Sequence, residues 1–373
     1  MEKLSCKERF RRAMRHQEVD RPPVCGMTTA ATTELMDYTG APWPEVHTDA
    51  KLMAKLGLGA YPFLKLESIR IPYCLSYEAE ILGANVNLGK KNSTPMVKGS
   101  KYRDNLDADL ELMDEKEMLR AGRNPVIIEA SKIIMKDKAS KELPTVLGVT
   151  GPFTIAGHLV GTENLILWTI TEEDMAHKYS NFVSEYVGMW LEYVDKNLGF
   201  DTIQMSEPSA SWDMLSPDLF DTFALPNLKK VYKRMDDTMS ILHICGNMLP
   251  MLDNMIGTGC TGCSIEEKTD PYQAVKKANK RSALIGNVGV VRPLLQGTPE
   301  DVRVMTEKSI DAGFDVISAG CGLSALIKKE NLRMMAETTV NYKRRSKTSK
   351  RVPLTAGPAN FHFCFMLSRL SIA

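Results

Sequence analysis

From Pro144 onward, short runs rich in β-branched and apolar residues alternate with longer amphipathic stretches, and each short run ends in Gly, Pro or a polar cluster. The runs Thr145–Val149, Asp201–Met205, Ile241–Cys245, Gly262–Glu266, Ala283–Val288 and Asp315–Ala319 read as strands, with Val24–Met27 and Ser68–Ile71 before them. The stretches between them read as helices. The clearest opens at Thr171, with Asp174 three residues on as in a capping box, and aligns Met175, Phe182, Val183, Trp190, Leu191 and Val194 on one face before Gly199. A second, at Pro250–Ile256, ends in Gly257 and Gly259 and feeds the run that begins at Gly262. Eight strand candidates in βα alternation predict parallel pairing and one α/β unit, a single (β/α)8 TIM-type barrel. Residues 72–125 break the rhythm and read as strand-and-turn material elaborating the N-terminal part. The barrel is expected to occupy residues 1–342. Residues 343–373 read as an irregular tail whose first nine residues, Lys343–Arg351, include six basic ones, and no function is assigned to it.

Composition narrows the function classes. The 373 residues carry 47 Lys+Arg against 46 Asp+Glu, a formal charge of +1, so the basic excess of a dedicated nucleic-acid binder is missing. Charged residues spread through the first twenty positions, and no apolar run reaches roughly 18 residues, which predicts neither a signal peptide nor a membrane span. Eight irregularly spaced cysteines do not form the dense framework of a small secreted domain. A reducing cytoplasm, with thiols kept for metal or catalysis, is the expected setting.

Two motifs invite misreading. Gly257, Gly259 and Gly262 satisfy the dinucleotide pattern G-x-G-x-x-G, but that fingerprint needs a strand before it and a helix after it, and here the order is reversed. Cys260 and Cys263 have the spacing of a zinc or redox pair, yet no second pair accompanies them. Their place before a barrel strand puts them on the face associated with stability, so they read as ordinary thiols.

The segment Ile241–Gly246 carries the chemistry. Strand alternation points His243 and Cys245 to one face, with Cα atoms roughly 6.5 Å apart, a span that bonds of about 2.0 Å from nitrogen and 2.3 Å from sulfur can close on one zinc ion. Cys321, among small residues at the end of the last strand, is the candidate third ligand once the barrel closes. Glu207, Glu266, Glu267 and Asn287 stand at or just past strand ends. Of these, Glu266 is the preferred fourth donor, one that yields its place to substrate.

With RPPVCGMTT, LMDYTGAPWPEVHTDAKLMAKL, IRIPYCLSYEAEILGANVNLG, LHICGN, SIEEK, IGNV and AGCGL in place, residues 5–340 resemble the uroporphyrinogen decarboxylase superfamily. Within it they are similar to the zinc-dependent methylcobamide:coenzyme M methyltransferases of methanogenic archaea. The resemblance implies a barrel of the uroporphyrinogen decarboxylase type, and its His-x-Cys…Cys signature falls on His243, Cys245 and Cys321. It implies Zn²⁺, a methyl donor carried as methylcobamide by a separate corrinoid protein, coenzyme M as acceptor, and a role in methanogenesis from methylated compounds. Decarboxylases of the superfamily carry an Arg-x-Ala-Gly-Arg segment for substrate carboxylates where this chain has MTTAAT, which argues against a porphyrinogen. Another acceptor, such as tetrahydrofolate, stays open, as do a decarboxylase and a non-catalytic barrel that binds a corrinoid or its carrier. The sulfonate of coenzyme M needs donors, for which Arg70, Thr28 and Thr29 are candidates without a spacing argument.

Overall fold

A computed structural model describes residues 4–106 and 109–342; the tail at Lys343–Ala373 lies outside the described residues. Seven strands, β1 (Ile69–Ile71), β4 (Thr145–Thr150), β5 (Thr202–Ser206), β6 (Met239–His243), β7 (Gly262–Ile265), β8 (Ala283–Val288) and β9 (Val316–Ala319), form one sheet in that spatial order. Every neighbouring pair is parallel. Sequential parallel neighbours joined by helices curl a sheet toward closure. The chain thus has the expected α/β barrel architecture.

The eighth position differs from its expected form. Val24–Met27 makes no ladder but a single parallel bridge, Val24 with Ile317. It still spans the gap: Cys25 N donates to Ile317 O (2.9 Å), Ile317 N to Pro23 O (2.9 Å), and Glu67 N to Val24 O (2.7 Å). Pro22 and Pro23 bring no N–H, and the Gly26 amide goes to the Ser68 hydroxyl (2.9 Å), so a regular strand cannot propagate.

The long helix also starts elsewhere than expected. Thr171 closes the preceding helix, Thr162–Thr171, so its backbone is helical and the cap position of the next one, Glu173–Asn197, passes to Glu172. The predicted apolar face holds: Phe182, Val183, Trp190, Leu191 and Val194 are buried, and Met175 is half-buried. The second helix runs Leu252–Gly257 and leads straight into β7, so the three glycines end a helix and open a strand, as their order predicts. The elaboration between residues 72 and 125 contains an antiparallel pair, β2 (Ala84–Asn87) with β3 (Met96–Ser100).

Inside the barrel, Cys25, Met27, Val146, Met239, Ile241, Ala283, Ile285 and Val316 pack with Phe10 and Met14 of the N-terminal helix Cys6–Met14. That apolar floor plugs the N-terminal end. One alternation further along the strands the interior turns polar, with Gln204 and Ser206 on β5, His243 on β6, Ser264 on β7 and Ser318 on β9, all buried. The floor is a packed core and the layer above it is the room for chemistry. Among the described residues no helix is long and apolar enough to cross a membrane.

Candidate metal centre

His243 is the last residue of β6, in register with Ser206 on one side and Ser264 on the other. Its Nδ1 faces the Ser264 carbonyl (3.2 Å) and hydroxyl (3.1 Å). With the proton on Nδ1 donated to that carbonyl, the Nε2 lone pair is left facing the sulfurs. Cys245, two residues on, brings its Sγ to 3.4 Å from His243 Nε2 and to 3.4 Å from Cys321 Sγ.

Cys321 arrives from the far edge of the sheet. Gly320 N donates to Val288 O (2.8 Å), and the Thr28 hydroxyl donates to Cys321 O (2.7 Å), which fixes the loop after β9. A Cβ at position 320 would lie 2.9 Å from Glu266 Cα, so only glycine lets this loop approach the end of β7. The three ligand atoms lie within 4.8 Å of one another, with His243 buried and both cysteines partly so. A disulfide needs about 2.05 Å between sulfurs, so this pair is two thiols. Tetrahedral zinc with bonds of about 2.05 Å to nitrogen and 2.3 Å to sulfur has edges of roughly 3.5 Å (N to S) and 3.8 Å (S to S). The donor set and its spacing fit that ion.

Charge is unevenly shared. The hydrogen bond with Cys321 and burial push the Cys245 thiol well above the ordinary range, while the same bond, against burial and with help from His243, holds Cys321 well below it. Burial opposes protonation of His243, but the Cys321 hydrogen bond and charge and the charge of Glu266 outweigh it and raise its pKa. A cation at this point replaces the shared protons.

The other expected residues have distinct fates. Glu266 stands at the end of β7, where its Oε1 accepts from the Gly246 amide and lies 3.6 Å from Lys268 Nζ. It adjoins the three converging donors without being one of them in this arrangement. Glu207 caps the helix Pro152–Val160, accepting from Phe153 N (3.1 Å) and Thr154 N (2.6 Å); burial raises its pKa to about 7. Asn287 ties loops together, donating to Thr269 O (3.1 Å) and accepting from Ser309 (3.0 Å). Glu267 is pushed up to about 7, chiefly by burial, with its Oε2 unpartnered. Thr28 serves the Cys321 loop, and Thr29 O accepts from Leu323 N (2.8 Å). Cys260 and Cys263 are buried free thiols with sulfurs 3.7 Å apart, on the opposite end of the barrel from the trio.

Ser264 is the site residue that the sequence reading missed. Its signal is positional: it stands one strand over from His243 in register, which requires the strand pairing to be known. Ser264→Ala removes the hydroxyl but leaves the carbonyl, so metal affinity is expected to fall by about tenfold, the low end for an orienting partner. Competition with a chromogenic chelator measures it, and an unchanged affinity would show that the carbonyl alone sets the ring.

Comparison with known proteins now adds to the geometry. Residues 5–342 match the family model described as uroporphyrinogen decarboxylase (URO-D). The chain is 33% identical over 92% of its length to the methylcobamide:CoM methyltransferase MtaA of Methanosarcina barkeri, covering 99% of that protein. It is 34% identical to the methylcobamide:CoM methyltransferase MtbA of Methanosarcina acetivorans, over 92% of this chain and all of that one. Among solved structures, a methyltransferase from Methanosarcina mazei superposes with a TM-score of 0.85 at 34% identity, covering 90% of this chain and 98% of that one. A chain with this barrel and this span of likeness belongs to the uroporphyrinogen decarboxylase family and, within it, to the methylcobamide:CoM methyltransferases.

Proposed function

We propose that this methyltransferase moves a methyl group from a methylated corrinoid, presented by a separate corrinoid protein, to the thiol of coenzyme M, with zinc held by His243, Cys245 and Cys321. Corrinoid-dependent methylation of coenzyme M is the coarser part and follows from the relatives' names. The observation that supports the zinc is the meeting of one nitrogen and two sulfurs, from the ends of β6 and β9, within 4.8 Å. Bound there, zinc supplies Lewis acidity that keeps a small thiol ionised at neutral pH, where a free one of pKa about 8.5 is only a few per cent thiolate.

The chain's own residues prepare that chemistry. His243, held through Nδ1 by Ser264, offers Nε2 in a fixed direction. Cys245 and Cys321 supply negative charge, which leaves the bound sulfur more nucleophilic than an all-nitrogen donor set would. Glu266, close enough for its charge to act on His243, is the carboxylate suited to the fourth, exchangeable place. The centre opens toward the βα loops, where barrel enzymes receive substrate, and there the corrinoid carrier would dock. We place the methyltransferase unit in residues 1–342, assign the tail from Lys343 no part in the chemistry, and expect a cytoplasmic setting that keeps both thiols reduced.

The test mixes protein, methylcobalamin and coenzyme M and follows demethylation by absorbance, with and without a chelator. Removing zinc is expected to abolish transfer, and restoring it to recover the rate. Transfer indifferent to zinc removal would defeat the metal's role, and transfer to a different thiol or to tetrahydrofolate alone would reassign the acceptor.

A further inference from the structure

We propose that Arg70 anchors the anionic end of the small-thiol substrate, receiving a sulfonate group in the polar layer of the barrel interior; this rests on the methyl-transfer reading above. Arg70 sits in the middle of β1, paired in register with Val146 of the apolar floor, and is 3% exposed. Its Nε donates to Met27 O (3.2 Å), Nη1 to Pro72 O and Nη2 to Gln204 Oε1 (3.1 Å). All three acceptors are neutral. A guanidinium has five N–H donors, so these three bonds leave two for a ligand.

The other buried arginines do not share this situation. Arg9 pairs with Asp20 (2.7 Å) and Arg123 with Glu80, whereas no carboxylate forms an ion pair with Arg70 among the described residues. Glu78 acts on it only at longer range, because its carboxyl is engaged by Thr150 N (2.6 Å) and Oγ1 (2.9 Å), and burial raises its pKa to about 7. Burial lowers Arg70 to about 10, which still leaves it charged at neutral pH. A buried, unpaired cation is costly to maintain, and an incoming anion offsets that cost.

The surroundings are shaped for it. A Cβ at Gly148 would lie 2.1 Å from Arg70 Nη2, so glycine there makes the space that the guanidinium fills. Gln204 turns its oxygen to Arg70 because its Nε2 donates to Ser206 Oγ (2.8 Å), and Ser206 is in register with His243. On β9, which also faces the barrel interior, the fully buried Ser318 hydroxyl has no partner.

Gln204→Glu places a carboxylate against the guanidinium, which satisfies the fold while closing the anion site. It is expected to raise KM for coenzyme M by about 30-fold, the value of a lost charged hydrogen bond, with kcat nearly unchanged. Arg70→Met should do the same and Arg70→Lys should recover part. With 2-mercaptoethanol, which has the thiol and no anion, the variants should match the unaltered protein within about twofold. Ethanesulfonate, which has the anion and no thiol, should bind the unaltered protein by calorimetry and neither Gln204→Glu nor Arg70→Met. Equal loss with both thiols, or an unchanged KM for coenzyme M in folded Gln204→Glu, would overturn the proposal. Ethanesulfonate binding that depends on Arg70 in a protein that transfers no methyl group would uphold the anion site and sink the transfer reading instead.

Discussion

Cys245→Ala is expected to strip the metal centre and lower methyl transfer by at least about a thousandfold, a barrier increase of roughly 4 kcal/mol. Altering a residue that merely orients a zinc ligand already costs about 10–100-fold, so removing a ligand costs more. Cys245 touches both other donors, with 3.4 Å to His243 Nε2 and 3.4 Å to Cys321 Sγ, so its loss leaves only one nitrogen and one sulfur for the ion. Zinc per chain, measured by mass spectrometry after dialysis, is expected to fall from about one to near zero, in step with the rate. Cys263→Ala, which removes a buried thiol at the other end of the barrel, should leave both unchanged and so controls for the loss of a sulfur as such. A Cys245→Ala protein that keeps its metal and its rate would sink the ligand assignment.

The trio was legible because each half of it is encoded in a different way. His243 and Cys245 are two apart on a strand, and alternation alone puts them on one face. Cys321 lies 76 residues from Cys245, and only the barrel topology brings it within 3.4 Å. The βα rhythm supplied that topology because every buried parallel strand needs a helix to return it. What could not be read is whatever depends on register or on a third element. Ser264 matters because β7 pairs with β6 at one offset and no other. The role of Gln204 depends on Gly148 of the neighbouring strand being small enough to admit Arg70. The Thr171 cap failed for a local reason: the preceding helix runs through Thr171 itself, and the non-helical cap position passes to Glu172.

Closure of the barrel depends on charge more than on a ladder, and Glu67 carries that charge. Because Val24–Met27 offers one bridge and three backbone hydrogen bonds but no ladder, side chains reinforce the seam between β9 and β1. The buried Glu67 carboxylate accepts from both terminal nitrogens of Arg21 (2.5 and 3.1 Å), from Val24 N (3.3 Å) and from Cys6 Sγ (3.4 Å), and lies 3.7 Å from Arg9. It thereby joins the floor-plugging helix, the Pro22–Val24 corner and the approach to β1. Burial and this carboxylate raise the Cys6 thiol to about 11, so Cys6 is a donor here and adds no competing charge. Glu67→Ala leaves the Arg21 guanidinium without its carboxylate, while Arg9 keeps Asp20, and the expected loss is about 3–5 kcal/mol, as for a buried pair with one member removed. For a unit of this size that corresponds to a fall in Tm of roughly 5–10 °C by calorimetry. Glu67→Gln keeps the shape and loses only the charge, so it should fall between the two. The zinc content of folded Glu67→Ala protein should stay near one, because the trio hangs on β6, β7 and the loop after β9; a Tm within about 1 °C of the unaltered protein would show that the bridge and the apolar floor close the seam without the charges.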